Sequence, residues 1–154
     1  MLQTILITLH NLTRWLVLIF GALAVARAFA GWLGKKGWQK ADDRAGMLFT
    51  GMLDLQLLLG LALYFTSPFM QPIFRDFGVA MAGTSLRFFG VVHAGGMLLA
   101  ILIAHAARSL SRKAASDPLK HQRSAIGFGL ALLIVAILIP WMRPLLQFFG
   151  LLTV

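Results

Sequence analysis

Five ionisable side chains interrupt the long apolar stretches of this sequence. They are His10, Arg14, Asp54, His93 and His105. An ionisable group at membrane depth costs about 2.5 to 3.5 kcal/mol on insertion scales, so each of them is a candidate functional residue. Imidazole is also a common ligand of metals and of haem iron. These residue types therefore favour a metal or cofactor site, or a relay for protons.

His10 and His93 are predicted at similar depths on two helices that run in the same direction. At about 100° per residue, each histidine heads a stripe of small residues on its own helix, namely Gly21, Ala24 and Ala28 below His10 and Gly96, Ala100 and Ala104 below His93. Such stripes let helices approach closely or leave space for a flat group. The pattern predicts axial ligation of a b-type haem by both imidazoles, with Gly96 beside it. The alternative is that each imidazole only makes a polar contact near the membrane interface or hydrogen-bonds a backbone carbonyl.

Arg14 and Asp54 are predicted at similar depths on the first two helices. A buried charge is tolerable mainly when it is paired, so we expect a structural ion pair between them. The functional alternatives are that Arg14 steadies a cofactor carboxylate or that Asp54 carries protons. Arg87 lies about two turns above His93 and suits haem propionates, unless it is simply solvated. His105 lies about 120° round its helix from His93, which indicates an interfacial anchor and not the same site.

Four apolar segments of roughly 20 residues must position these side chains, since about 20 residues span the hydrocarbon core as a helix. They cover about 5–30, 46–66, 86–107 and 125–141. Helices are expected because hydrocarbon offers no partner for unpaired backbone groups. Two further segments are too short to cross: 68–84, predicted as a short interfacial helix, and 143–154, predicted as a surface tail. The sequence therefore predicts a single all-α domain, an integral membrane four-helix bundle with up-down-up-down order.

The basic residues are concentrated in the first and third connections between these segments. The chain has 14 Lys and Arg against five acidic residues, giving a formal charge of +9. The positive-inside rule puts both connections in the cytoplasm and both termini on the extracytoplasmic side. Because this topology accounts for most of the basic excess, we expect no nucleic-acid partner.

Composition excludes several other classes of protein. Hydrophobic residues make up 59% of the chain and charged residues 12%, which is far from an ordinary soluble domain. Cysteine is absent, and this excludes thiolate metal sites, iron–sulfur clusters and covalent c-type haem. The sequence also lacks the phosphate-binding, zinc-protease and serine-hydrolase motifs.

Several strings resemble a group of small bacterial four-span membrane proteins that are loosely labelled cytochrome b-like. These strings are LHNLTRW, RAFAGWLGKKGW, DLQLLLGLALYFTSP, LRFFGVVHAGGMLLA and IPW, in this order. The resemblance covers most of the chain and implies a haem-linked or electron-transfer role, with His10 and His93 at the histidine positions of the pattern. Asp54 stands where some members have His, and Val92 stands where some have an acidic residue. The resemblance also implies a multi-pass protein of the bacterial plasma (inner) membrane.

Two functions from different classes are compatible with the sequence. The first is a redox subunit that binds haem b near the outer face and takes part in electron transfer, as a quinol-linked oxidoreductase component if it is an enzyme. The second is a cofactor-free accessory subunit of a larger respiratory or photosynthetic complex. A quinone against Arg14 and Trp15 is also compatible with the sequence, as is ordinary packing of these two side chains. The expected partners are membrane lipids and either other membrane subunits or a second copy of the chain.

Overall fold

The computed structural model describes residues 1–141, and within them the chain forms only helices joined by turns and short extended links. Four helices are long and apolar enough to cross a membrane: Leu2–Leu33, Lys40–Thr66, Thr84–Arg112 and Asp117–Leu138. The shortest has 22 residues and still exceeds the roughly 30 Å of a hydrocarbon core. The predicted all-α class and four span-like helices are confirmed.

The first two long helices, α1 (Leu2–Leu33) and α2 (Lys40–Thr66), extend beyond the predicted segments 5–30 and 46–66. The early start of α2 has a local cause. Gln39 and Asp42 form a capping box in which the Asp42 carboxylate accepts from the Gln39 backbone N–H at 2.9 Å. Capping satisfies backbone donors of the first turn, so that polar residues there are helical too. Hydropathy marks only the apolar part of such a helix.

The connection after α2 folds into three short helices, where the sequence predicted one interfacial helix over 68–84. A 3₁₀ turn covers Pro68–Met70, followed by α3 (Gln71–Arg75) and α4 (Phe77–Ala82). Asp76 separates α3 from α4, and its side chain caps α4 by accepting from the Val79 N–H at 3.0 Å. A small separate cluster holds this connection together, with Met70, Ile73 and Ala80 buried in it.

The third long helix is continuous but not uniform. It begins with α5 (Thr84–Arg87), widens into a π-helical segment over Phe88–His93 and continues as α6 (Ala94–Arg112). The sequence predicted a regular helix over 86–107. A π turn adds a residue to the helical repeat and is often found at functional sites. Here it ends at His93.

The fourth long helix, α7 (Asp117–Leu138), begins and ends earlier in the chain than its predicted segment, 125–141. Ser116 occupies the N-cap position and Pro118 lies in the first turn, where proline is well tolerated. The helix ends before Pro140, because the residue preceding a proline is disfavoured in the helical conformation. The predicted tail, 143–154, lies outside the described residues.

Contacts at the helix ends show that sequence neighbours run antiparallel. At the beginning of α1, Gln3 Nε2 donates to Ser67 Oγ, just past the end of α2, at 2.8 Å. At the other end of the bundle, Ser111 Oγ near the end of α6 donates to the Lys120 carbonyl at the beginning of α7, at 2.9 Å. Because α1 also packs along α7, the helices close into the ring α1, α2, α6, α7, in which α2 and α6 contact each other least.

The predicted small-residue stripes mediate helix packing in the middle of this ring. Gly21, Ala24, Ala28, Ala100 and Ala104 are all buried. The space that these residues leave is filled from α2 and α7 by two aromatic rings, Phe49 and Phe128, which meet edge to face at 5.7 Å. Such a pair contributes about 0.5 to 1.5 kcal/mol beyond its buried area. The stripes therefore support a packed core.

Candidate cofactor site

A cavity of about 370 Å³ lies between the helices, at the end of the bundle where α1 begins. Its size falls within the ~300 to 1,000 Å³ of small-molecule and cofactor sites. Most of the wall is aliphatic or aromatic, and the polar or charged side chains in it are Gln3, His10, Asn11, Arg14, Gln56, Tyr64, Ser67 and His93. The cavity thus brings together His10, Arg14 and His93 from the predicted cofactor residues.

His10 lies in the third turn of α1, half-buried against α2. Its Nδ1 atom is buried and has no hydrogen-bond partner within residues 1–141. The ring packs close to Gly60, where a Cβ would lie 3.3 Å from His10 Cε1, so the missing side chain at Gly60 leaves room for the imidazole. Gln56 Nε2 donates to the His10 backbone carbonyl at 2.9 Å and fixes this turn of α1 against α2. A buried polar atom without a partner is unusual and often indicates an absent ligand or water.

His93 reaches the same cavity from the last residue of the π-helical segment. Its Nδ1 lies 2.9 Å from the backbone carbonyl of Leu138, at the end of α7. Because a carbonyl only accepts, Nδ1 must carry the proton, and in the neutral ring Nε2 then keeps its lone pair. Histidines that ligate metals are commonly oriented in this way, through the nitrogen that does not bind the metal. The fold therefore holds His93 in a tautomer suited to coordination through Nε2.

Arg14 places a positive charge in the inner part of this wall. It lies one turn beyond His10 on α1, and its residue surface is only 6% exposed. A guanidinium remains protonated in proteins. Val17 and Leu53 line the cavity beside it and are buried at 2% exposure. A guanidinium at this position can bind a carboxylate or another anionic group of a bound molecule through charge-assisted hydrogen bonds.

Two predicted cofactor residues do not line the cavity. Arg87 is the exposed last residue of α5, directly before the π-helical segment. Gly96 faces α7, where a Cβ would collide with the Leu138 side chain, so its small size serves helix packing. The neighbouring Met97 lines the cavity instead. Gly96 lies about 60° round the regular helix from His93, and this turns it from the cavity toward α7.

The predicted ion pair between Arg14 and Asp54 is wrong. Asp54 bonds to His105 of α6, with 2.7 Å between Asp54 Oδ1 and His105 Nε2. Both side chains are on the outside of the bundle, at 52% and 45% exposure. Arg14 faces the inside, as do the neighbours Leu53 and Gln56 on α2. Matching depth along two helices does not ensure matching faces, and here the two charges lie on different faces.

Some of the polar contacts around the cavity were not predicted from the sequence. The Tyr64 hydroxyl donates to the Gly90 carbonyl at 3.0 Å and ties α2 to the π-helical segment. The Thr13 hydroxyl contacts the Gln56 side chain across α1 and α2. Tyr64 is the only tyrosine of the chain, which is the one sequence signal that singles it out.

The side chains of the cavity provide few metal ligands, which suits a metal that is already bound within a cofactor. Within the described part of the chain, no group of three or more His, Cys, Asp or Glu side chains converges on one point. A bare zinc or iron ion normally needs three or four protein ligands. Haem iron needs only axial ligands from the protein, and histidine is a common one. Two imidazoles on an apolar cavity with one buried cation are therefore compatible with haem.

Comparison with known proteins adds no relative to this picture. No protein-family model matches the chain, and no curated protein or solved structure matches it.

Proposed function

We propose that this chain is a multi-pass protein of the bacterial plasma membrane that binds haem b between His10 and His93 and takes part in electron transfer near the outer face. The observation that carries the proposal is the meeting of these two imidazoles on one apolar cavity. They come from residues far apart in the chain, and one of them is oriented by a backbone carbonyl. Two such rings would be a costly arrangement in an apolar wall without a ligand.

The residues of the chain have separate roles in this proposal. His10 and His93 would hold the haem through their imidazole nitrogens, and the Leu138 carbonyl orients His93. Arg14 offsets the negative charge of a carboxylate, while Gly60 leaves space for the His10 ring. The apolar wall excludes water and so strengthens the electrostatic interactions inside. When bound, a b-type haem supplies a one-electron carrier.

The proposed orientation rests on the distribution of charge. The connections between α1 and α2 and between α6 and α7 lie at the end of the bundle away from the cavity. These connections and the adjoining turns of α2, α6 and α7 contain eight basic residues, which are Lys35, Lys36, Lys40, Arg44, Arg112, Lys113, Lys120 and Arg123. The positive-inside rule assigns that end to the cytoplasm. We therefore propose up-down-up-down order with the cavity and both chain termini on the extracytoplasmic side.

A reduced-minus-oxidised absorption spectrum of the detergent-purified protein, produced with haem available, tests the cofactor. We expect a shifted Soret band with sharp α and β bands, and we expect both to be lost in His10→Ala and His93→Ala. His105→Ala is the matched control, since this histidine lies outside the cavity. Far-UV circular dichroism verifies that each variant is folded.

A featureless spectrum from folded wild-type protein would reject the haem proposal. Bands that persist in both cavity variants would reject this site for it. If the spectrum is featureless but solvent extraction releases one quinone per chain, the cavity belongs to a quinone.

The second candidate function is that of a cofactor-free accessory subunit, in which the outer surface is the functional part. The observation that favours it is the bonded Asp54 and His105 on the outside of the bundle, half-exposed on helices that are otherwise apolar there. The spectrum separates the two candidates, because an accessory subunit of this kind has no visible absorption.

A further inference from the structure

The pairing of Asp54 with His105 is out of place on the surface where it lies. The two side chains join α2 to α6 from the outside, at 2.7 Å, and neither contributes to the cavity. Asp54 lies about 15 Å along α2 from Arg44 and about 18 Å from Thr66, at 1.5 Å per residue. If α2 crosses a bilayer, this carboxylate is close to the middle of the hydrocarbon core.

Lipid is a poor neighbour for this pair. Each ionisable group in the middle of a membrane helix costs about 2.5 to 3.5 kcal/mol on insertion scales, and such groups almost always face protein or water. The bond between them uses Asp54 Oδ1 and His105 Nε2. Within residues 1–141, Asp54 Oδ2 and His105 Nδ1 make no further hydrogen bond. One acceptor and one further ring nitrogen of these half-exposed side chains therefore have no protein partner within the described residues.

The surroundings of the pair suit a close contact with another helix. Leu58 on α2 and Leu102 on α6 are 65% and 66% exposed and flank the pair with apolar surface. Gly51 lies one turn before Asp54, and a Cβ there would meet nothing within 4 Å. Small residues beside a polar group are characteristic of associating membrane helices, because they let the backbones approach. We call the surface formed by Gly51, Asp54, Leu58, Leu102 and His105 the polar seam.

The charge pattern of the polar seam identifies its partner. A symmetric dimer buries the same patch on both subunits, so the patch must be complementary to itself. The polar seam meets this condition because it contains an acidic and a basic group side by side. A two-fold axis through it would set Asp54 Oδ2 of one copy opposite His105 Nδ1 of the other, and the reverse. Because Nε2 already donates to Asp54 Oδ1 within each copy, this second bond forms with the imidazolium ring, in which both nitrogens carry a proton.

We propose that the polar seam is the interface of a homodimer, in which two copies of this chain bury their Asp54 and His105 side chains against each other. The inference rests on membrane insertion of α2 and α6 and does not depend on haem. It gives a physical reason for a carboxylate and an imidazole at this position. The partner supplies the hydrogen bonds that lipid cannot offer.

The mass of the protein in lipid nanodiscs or mild detergent tests the proposal. We expect the mass of a dimer for the wild type and a two-fold lower mass for the double variant Asp54→Leu with His105→Leu. That variant needs no polar partner, and circular dichroism verifies its fold. Leu58→Trp places bulk on the polar seam and should also give monomers. Leu133→Trp, at an exposed position of α7, is the matched control and should remain dimeric.

Cysteine crosslinking in native membranes provides a second measurement that involves no detergent. Because the chain has no cysteine, a single Leu58→Cys or Leu102→Cys substitution reports only on its own position. We expect oxidation to give a covalent species of twice the mass for one or both of these variants, and none for Leu133→Cys. A monomeric wild type without crosslinks would overturn the proposal. Dimers that persist in the double leucine variant, or crosslinks to a different protein, would overturn it too.

The result is distinguishable from that of the haem test. His10→Ala should dimerise like the wild type, because the cavity and the polar seam are on different sides of α2. A dimeric wild type without a Soret band rejects only the haem proposal. A monomeric wild type with the expected Soret band rejects only the polar seam.

Discussion

At the scale of single residues, the histidines of this chain differ in the hydrogen bonds that their ring nitrogens make. His93 has one nitrogen on the Leu138 carbonyl, and His105 has one on Asp54. His121 is 1% exposed, and neither of its nitrogens has a hydrogen-bond partner in the described part of the chain. It packs instead on the Trp38 ring, at 4.8 Å between centroids. His121 falls in the polar connection between the predicted segments 86–107 and 125–141, but α7 begins before it and turns it inward.

The packing of His121 leads to a prediction about Gly31. A Cβ at this position would collide with the imidazole, which is fully enclosed and has no room to move. We expect Gly31→Ala to lower the free energy of unfolding by about 1 to 3 kcal/mol, the usual cost of overpacking. A thermal or denaturant unfolding curve in detergent measures this.

Gly95→Ala serves as the control for this substitution. Gly95 is also helical, but a Cβ there meets nothing within 4 Å. The alanine should be neutral or stabilising by up to about 1 kcal/mol, from its higher helix propensity. Equal unfolding midpoints for the two variants would contradict the packing described for His121.

At the scale of elements, the π-helical segment Phe88–His93 is what brings His93 to the cavity. It begins one turn into the third long helix, and it is bonded to Tyr64 of α2 at Gly90, near its middle, and to Leu138 of α7 at His93, its last residue. The additional residue of a π turn rotates everything before it relative to α6. Arg87 lies before this turn and does not line the cavity, whereas Gly96 lies after it and faces α7. The segment therefore connects the part of the third long helix that lines the cavity to the buried face of α6.

Removal of the Tyr64 hydroxyl tests how much its bond to the π-helical segment contributes to stability. We expect Tyr64→Phe to cost about 0.5 to 1.5 kcal/mol of unfolding free energy, the net contribution of one hydrogen bond. The Phe ring keeps the apolar contacts, so the change isolates the bond to the Gly90 carbonyl. Chemical denaturation followed by circular dichroism measures the difference.

Thr66→Ala is the comparison for this variant. The Thr66 hydroxyl bonds to the Ala62 carbonyl of its own helix, at 2.7 Å, in an exposed position. Its removal should change the free energy of unfolding by less than about 0.5 kcal/mol, as for most surface substitutions. A larger loss in Thr66→Ala than in Tyr64→Phe would show that the tie between α2 and the π-helical segment contributes little.

At the scale of the whole molecule, the two ends of the bundle differ in charge and in packing. One end has the cavity and the cluster of Met70, Ile73 and Ala80. The other end is basic and is held together by ion pairs such as Arg27 with Asp42, at 2.8 Å. An asymmetric charge distribution of this kind orients a membrane protein during insertion. The ring of four antiparallel helices ensures that the first and third connections share one end.

Labelling of single cysteines tests this orientation. The chain has no cysteine, so Gly83→Cys and Ala115→Cys each introduce the only thiol of the variant protein. They lie in the second and third connections and are exposed. We expect a membrane-impermeant maleimide to label Gly83→Cys in intact spheroplasts and Ala115→Cys only after the membrane is disrupted. The wild type controls for labelling elsewhere, and the opposite pattern of labelling would reverse the proposed topology.

The number and approximate position of the long helices could be read from the sequence because hydropathy reports directly on what a helix buries. Small residues below His10 and His93 were correctly expected on buried faces, as the periodicity of 3.6 fixes which residues share a face. Helix ends were less predictable. The polar first turn of α2 depends on the capping box of Gln39 and Asp42, which hydropathy does not detect.

Sequence by itself thus determined four apolar helices, a basic end and two histidines at matching depth, because each of these properties is local to one segment. Only the tertiary structure decided that His10 and His93 share a cavity, and that Asp54 meets His105 outside the bundle and not Arg14 inside it. Periodicity gives the face of a helix but not the neighbour which that face meets. That choice depends on how all four helices pack at once, and on a π turn that rotates one of them part-way along.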